Sequence, residues 1–340
     1  MGEHWSVTAP PLFSATGAGL VTLPDGKVLL VGGFASSGGA PRAGAALFDP
    51  GGRQWMATSS MKTARANFTA TLLTGGGVLV AGGFGPDMHR TATTELYEPR
   101  LQQWFSEGPM VVGRVNHAAA LINGSRVLVV GGRMPTGPIA NAEIYDPTNG
   151  RWSAVPSMTS PRESPTATTL IDGRVLVTGG VVSDGAYLNA TATTEIYDPT
   201  TNRWAAAAPM RVARAYHAAT LLADGRVLVT GNGGQEPDSA EVYDPLTNHW
   251  TDVARMPTER RSHEALRLAS GMVLVLGGLA ESATFLDSAD VYDPTSDSWH
   301  PAGQMHGPAG EVRATLLADG RVLVVDASAA AAIYSANLPG

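Results

Sequence analysis

Val-Leu-Val runs that are apolar at every position alternate along this chain with short segments, such as Glu241-Val242-Tyr243, in which polar and apolar side chains take turns. Both patterns have the length of β-strands, and the continuous runs require a sheet covered on both faces. The pattern is periodic. Measured from Trp5, Trp55, Trp104, Trp152, Trp204, Trp250 and Trp299 to the residue after the next apolar run (Gly32, Gly82, Gly131, Gly179, Gly231, Gly277 and Asp326), the step is always 27 residues. From the aromatic of the following strand (Phe48, Tyr97, Tyr145, Tyr197, Tyr243 and Tyr292) to its tryptophan it is always 7. All variation falls between these blocks, in gaps of 16, 15, 14, 18, 12, 15 and 8 residues. One loop per repeat is free to change on a fixed scaffold, which is where function tends to sit.

Each unit reads as four antiparallel strands. An entry strand near Arg214 turns at Asp224-Gly225 into Arg226-Val227-Leu228-Val229, and the variable loop follows. An Asp-Pro turn then separates the third strand from the one carrying Trp250. Asp-Gly and Asp-Pro suit tight reversals. Sheets that are apolar on both faces cover one another by stacking around an axis, so the pattern predicts an all-β, seven-bladed β-propeller of four-stranded antiparallel blades. The first fragment, His4-Trp5-Ser6, is a tryptophan strand with no earlier strands, and the last unit ends soon after Tyr334. The N-terminal strand is therefore expected to complete the C-terminal blade, and residues 1–340 to form one domain.

The elements Arg-x-x-His-x-x-x-Leu, Val-Leu-Val-x-Gly-Gly, Glu-x-Tyr-Asp-Pro, Trp and Met occur complete or nearly so over Arg114 to Met158 and Arg214 to Met256. This pattern resembles the kelch repeat, in a variant whose Asp-Gly-Arg-Val-Leu-Val hairpin looks bacterial, and it covers essentially the whole chain. The resemblance implies a propeller. It also spans adaptor modules, carbohydrate-binding proteins, isomerases, lyases and copper oxidases, so function has to be read from the site. A radical copper oxidase of the galactose oxidase kind is disfavoured, because its tyrosine is cross-linked to a cysteine and this sequence has none.

Composition narrows the partners. Hydrophobic residues at 44% and charged residues at 16% describe a packed soluble domain, and a net charge of -7 argues against nucleic acid. No apolar run reaches the roughly 18 residues of a spanning helix and the N-terminus lacks the regions of a signal peptide, which predicts no membrane partner. A monomer is expected, cytoplasmic or, as the alternative, a secreted mature chain, since the absence of cysteine fits either compartment. A myristoylation-like match at residues 1–6 falls on the closing strand, and glycosylation-like triplets at Asn67 and Asn123 fall on an inner strand and a tight turn.

Chain direction places the variable loops and the segments entering each blade on one face, with the Asp-Gly and Asp-Pro turns on the other. A ligand is expected at the variable-loop mouth, where polar groups converge. Three columns of the repeat meet there. One reads Ala15, Arg65, Arg114, Arg162, Arg214, Arg260 and Ala309. This partial ring of guanidinium groups offers donors either to an anion or to neighbouring loop carbonyls. The second reads Gly17, Asn67, Asn116, Ser164, Tyr216, Ser262 and Glu311, and the third Ala18, Phe68, His117, Pro165, His217, His263 and Val312. No metal or other cofactor is expected. A histidine repeated by rotation repeats a structural role, and separate inner strands give no reason for nitrogens to converge within about 2.1 Å of one ion.

Departures from the repeat gather in blades six and seven. Glu264 replaces a small residue and Arg267 a leucine or threonine, while Glu311, Arg313 and Asp326 interrupt blade seven. Buried charges of this kind must pair or face water. The longest variable loop is in blade four and the shortest in blade seven, which predicts an asymmetric cup. Two functions remain open. One is a binding module for a small anionic or sugar-like ligand, or a protein or peptide, held by Arg65, Arg114, Arg162, Arg214, Arg260, Asn67, Asn116 and His117. The other is an isomerase, lyase or cyclase whose proton carriers lie among Tyr216, His217, His263, Glu264 and Glu311. His263 or Glu311 is expected to face the funnel, with Glu264 and Arg267 as supporting charges between blades.

Overall fold

The fully apolar runs become the second strand of each sheet, and every residue of these strands in blades one to seven but Arg126 is buried. Their two-sided character has a direct cause in the packing. In blade one, Leu29 and Val31 pack with Val78 and Val80 of blade two, while Val28 and Leu30 pack with Leu323 and Val325 of blade seven. The computed structural model describes residues 4–336 apart from 37, 233, 235, 308 and 309. It shows seven four-stranded antiparallel sheets, with an apolar cluster between each pair of neighbours around a closed ring. Among the described residues the one helical element is a 3-10 turn at Asn123–Ser125, and no helix is long and apolar enough to cross a membrane.

The seam lies where the repeat places it. His4–Val7 pairs antiparallel with Ala331–Ser335, setting Trp5 opposite Tyr334, and so supplies the fourth strand of blade seven. In all seven blades the tryptophan lies beside the aromatic of the third strand, with ring centroids 5.0–5.4 Å apart. The indole N–H then reaches out of its own blade. Trp5 donates to the Ala302 carbonyl of blade six at 2.6 Å, and Trp104 donates to the Ser59 carbonyl of blade one at 2.8 Å. One side chain thus contributes apolar area and a polar link between sheets.

The glycine after each apolar run is required by close approach. At Gly179 (φ 58°) a Cβ would lie 2.5 Å from the His217 ring and 2.6 Å from the Arg214 carbonyl of the next blade, so no other residue fits without displacement. Blade seven departs here. Asp326 was expected to pair with another charge or to face water; it is buried, and it caps its short loop. Its carboxylate accepts the amides of Ser328 at 3.0 Å and Ala330 at 2.8 Å. At the other extreme, the loops of blades three and four fold into extra hairpins, Arg133–Met134 with Gly137–Pro138 and Val181–Ser183 with Leu188–Ala190.

Candidate functional site

At the mouth, each entering segment from blade one to blade six passes through one residue held in left-handed backbone: Gly17 (φ 61°), Asn67 (52°), Asn116 (51°), Ser164 (50°), Tyr216 (53°) and Ser262 (52°). Hydrogen bonds running around the ring explain why. Asn67 N–H donates to the Gly17 carbonyl at 2.9 Å, Ser164 N–H to Asn116 at 2.8 Å and Ser262 N–H to Tyr216 at 2.8 Å. The backbone is thereby committed to the circumference, and the side chains of Asn67, Asn116, Ser164, Tyr216 and Ser262 line a cavity of about 470 Å³. His117, His217, His263, Glu311 and Arg313 line it too, with Leu279 and Phe285 from the variable loop of blade six.

The five arginines are elsewhere, which corrects the expectation that they ring the mouth. Arg65, Arg114, Arg162, Arg214 and Arg260 are 0–1% exposed and lie inside the blade wall. Each donates through Nη1 to the carbonyl of the glycine after the apolar run and to a second carbonyl, at 2.8–3.1 Å. Through Nη2 each meets a carboxylate of its own third strand, Glu95, Glu143, Glu195, Glu241 or Asp290, at 2.5–2.9 Å. Burial pulls every one of these guanidinium groups below its ordinary pKa, and the facing carboxylate pushes it back. The four glutamates also accept the amides of the linker that leads into the blade, as Glu95 does from Lys62 and Thr63 at 2.6 and 3.0 Å. Strand, loop and linker are thus tied through one buried ion pair.

The histidines join neighbouring blades. His117 Nε2 is 3.0 Å from Thr69 Oγ1 of blade two, His217 Nε2 is 3.0 Å from Thr178 Oγ1 of blade four, and His263 Nε2 is 2.8 Å from Thr230 Oγ1 of blade five. Burial, reinforced by the nearby arginines, holds His117 and His217 down to about 3 and His263 well below its ordinary value. All three rings are therefore neutral at pH 7 and poor proton carriers. His263 borders the cavity, but its ring is buried and its Nε2 is already engaged with Thr230. Among the described residues no three His, Cys, Asp or Glu side chains converge as metal ligands would.

Polarity in blades six and seven is concentrated on Arg313. It donates to Glu311 through Nη2 at 2.7 Å and to the Ala18 carbonyl of blade one through Nε at 3.1 Å, and Glu264 of blade six lies 3.6 Å from its Nη1. Burial lifts the Glu264 carboxyl to about 7; Arg313 opposes the shift and Glu311 adds to it. The strand alternation separates His263, directed at blade five, from Glu264, directed at blade seven. Arg267 is exposed at the other end of that strand.

The matches to known families agree with this geometry. The KLHDC2/KLHL20/DRC7 Kelch-repeats domain profile matches residues 18–234, and the Kelch motif profile matches residues 214–257 and 269–306. The chain belongs to the kelch-repeat family. No curated protein matches this kelch chain. Among solved structures, a novel fungal alcohol oxidase with catalytic diversity among the AA5 family, in complex with copper, is similar to it. The TM-score is 0.78 at 15% identity, over 98% of this chain and 76% of the other, which is a likeness of fold.

Two features of the kelch site went unread in the sequence. One is the carboxylate partner of each arginine, whose position two residues before the third-strand aromatic reads Ala46 and Ala332 in the blades that lack the arginine. The joint absence was the available signal. The other is Glu163, buried beside the mouth, which accepts from the Asn116 amide at 2.8 Å and pairs with Arg133 at 2.9 Å. Thr16, Ala66, Val115, Ala215, Arg261 and Gly310 occupy its column, so a carboxylate there was a visible departure from the repeat.

Proposed function

We propose that this kelch propeller is a binding module for a neutral, polyhydroxylated, sugar-like molecule seated in the mouth. One observation carries the reading: the five arginines are engaged inside the blades, which leaves the mouth without net positive charge. The charged side chains among the described lining residues are Glu311 and Arg313, and these are paired with each other. An anion would find a single guanidinium already in use. Asn67, Asn116, Ser164, Tyr216 and Ser262 instead present neutral donors and acceptors, the complement that hydroxyl groups need. A cavity of about 470 Å³ lies within the range that holds small ligands. The copper of the solved oxidase is not carried over, since the three histidines bond to threonines of three different blades and the chain has no cysteine.

Thermal melts in the presence of neutral saccharides and, separately, of dicarboxylates at matched ionic strength test this. Saccharide at 100 times its dissociation constant is expected to stabilise the fold by about 2.7 kcal/mol. Stabilisation by dicarboxylates alone would overturn the reading. A second reading is favoured by Glu264 specifically. A carboxyl raised to about 7 suits an isomerase or lyase that moves a proton near neutrality; Glu264 lies behind Arg313, outside the described lining of the cavity, so a substrate would have to reach past that arginine. Interconversion of a bound sugar, followed by NMR and abolished by Glu264→Gln, would favour it over simple binding.

A further inference from the structure

Within the ring of left-handed residues, one does not suit its backbone. Glycine and asparagine enter that region at little cost, the latter because a short amide can bond locally, and they fill the position in blades one to three. Tyr216 has neither property. A bulky aromatic at φ 53° is an outlier that persists only where its surroundings impose it. The surroundings here are the circumferential hydrogen bond from Ser262 N–H to the Tyr216 carbonyl, which fixes the backbone whatever the side chain. The scaffold therefore asks for a small residue, and blade five places there the largest residue of the column.

The side chain is not packed away into the wall. Tyr216 is 43% exposed, although it lies on the cavity wall, and none of the described residues hydrogen-bonds its hydroxyl. Its ring is thus a flat apolar face held on a fixed backbone beside Asn116, Ser164 and Ser262. We propose that Tyr216 is the stacking platform of the mouth, covering the C–H face of a pyranose-type ring while the neighbouring amide and hydroxyl groups of the ring column bond its hydroxyls. This rests on the neutral-ligand reading of the pocket and adds the ligand's shape to it: a saturated ring with one face free of hydroxyls, and not a flexible polyol. Left-handed strain at an exposed aromatic is what a binding surface retains against stability.

The test compares the full chain with Tyr216→Asn, which installs the residue of blades two and three, and with Tyr216→Phe. Calorimetry against glucose, galactose, N-acetylglucosamine and the open-chain polyol sorbitol gives affinity, and melting without ligand gives stability. Tyr216→Asn is expected to melt roughly 2 °C higher and to lose saccharide affinity by about tenfold or more. Tyr216→Phe is expected to keep the wild-type affinity within a few-fold, and sorbitol to bind far more weakly than the cyclic sugars. A Tyr216→Asn protein that binds as wild type does, or that melts lower, overturns the platform. Wild-type protein that binds none of the four overturns the neutral-ligand reading itself, a result distinct from retained binding in the variant.

Discussion

Blades two to six and blades seven and one fill the same interior in different ways. In the first group a buried arginine crosses from the entering segment to a carboxylate on the third strand, collecting two carbonyls on the way. In blade one, alanines stand at both ends, Ala15 and Ala46, and both are buried. Blade seven has Ala332 at the carboxylate position, and Ala309, at the arginine position, lies outside the described residues. The ring closes through both kinds of blade. A buried ion pair is therefore exchangeable as a unit, in keeping with its energetics: attraction and desolvation nearly cancel for the pair, whereas either charge left alone is costly. Where the pairs are missing, charge reappears at the mouth as Glu311 and Arg313.

The comparison breaks most severely at the seam between the two groups. Deleting residues 1–8 removes the strand that pairs with Ala331–Ser335 and leaves the edge of blade seven open. Soluble yield should collapse, or the melting temperature fall by on the order of 10 °C; an unchanged melting curve contradicts closure by the N-terminal strand. Next in size is Arg214→Ala. Glu241 then stays buried without its cation, at an expected cost of about 3–5 kcal/mol in urea unfolding. The double change Arg214→Ala with Glu241→Ala should recover part of that loss, because no charge is then left alone, while the Gly231 and Ser239 carbonyls and the Arg211 and Val212 amides still lose their partners. No recovery would mean that the carbonyl contacts, and not the pair, hold the blade.

Proton linkage sharpens the contrast with a smaller effect. Neutral His117 and His217 have folded pKa values near 3 against about 6.5 unfolded, so the stability they contribute is complete above pH 6.5 and is lost as pH falls toward 3. Each should steepen the acid limb by about 1.4 kcal/mol per pH unit, and His217→Gln should remove one such slope. Glu264 acts in the opposite sense. Its raised pKa makes the folded state bind the proton more tightly, so its contribution is complete below pH 4.5 and declines through about 7. With 29% of that side chain exposed, Glu264→Gln should gain only about 1 kcal/mol at pH 8. A loss there would place Glu264 in a favourable pair with Arg313.

The scaffold was legible because a propeller repeats its physics. An apolar run buried on both faces, a fixed step to the next tryptophan and a first fragment holding a lone strand leave one way to close seven sheets. The columns at the mouth were legible as columns, and Asn67, Asn116, Tyr216, His263 and Glu311 do meet around one cavity. Side-chain direction was not. Arg214 and Tyr216 lie two residues apart, yet one runs into the wall and the other stands in the funnel, because the left-handed turn between strand and entry segment reverses the exposed side. The glycine, asparagine and serine of that column carried the turn's signature. The partners of the arginines were equally written in the repeat, but as an absence shared by two positions some 30 residues apart in blade one.

The claim that the arginines belong to the scaffold and the neutral ring to the ligand is tested most directly by saccharide affinity in the Arg214→Ala, Glu241→Ala protein, measured by calorimetry at pH 7. Affinity within about twofold of the wild type is predicted, since a balanced pair has been removed from inside the wall and the lining of the mouth is untouched. A folded double variant that loses its affinity by about tenfold or more would show that the buried arginine acts on the ligand, and would contradict the account.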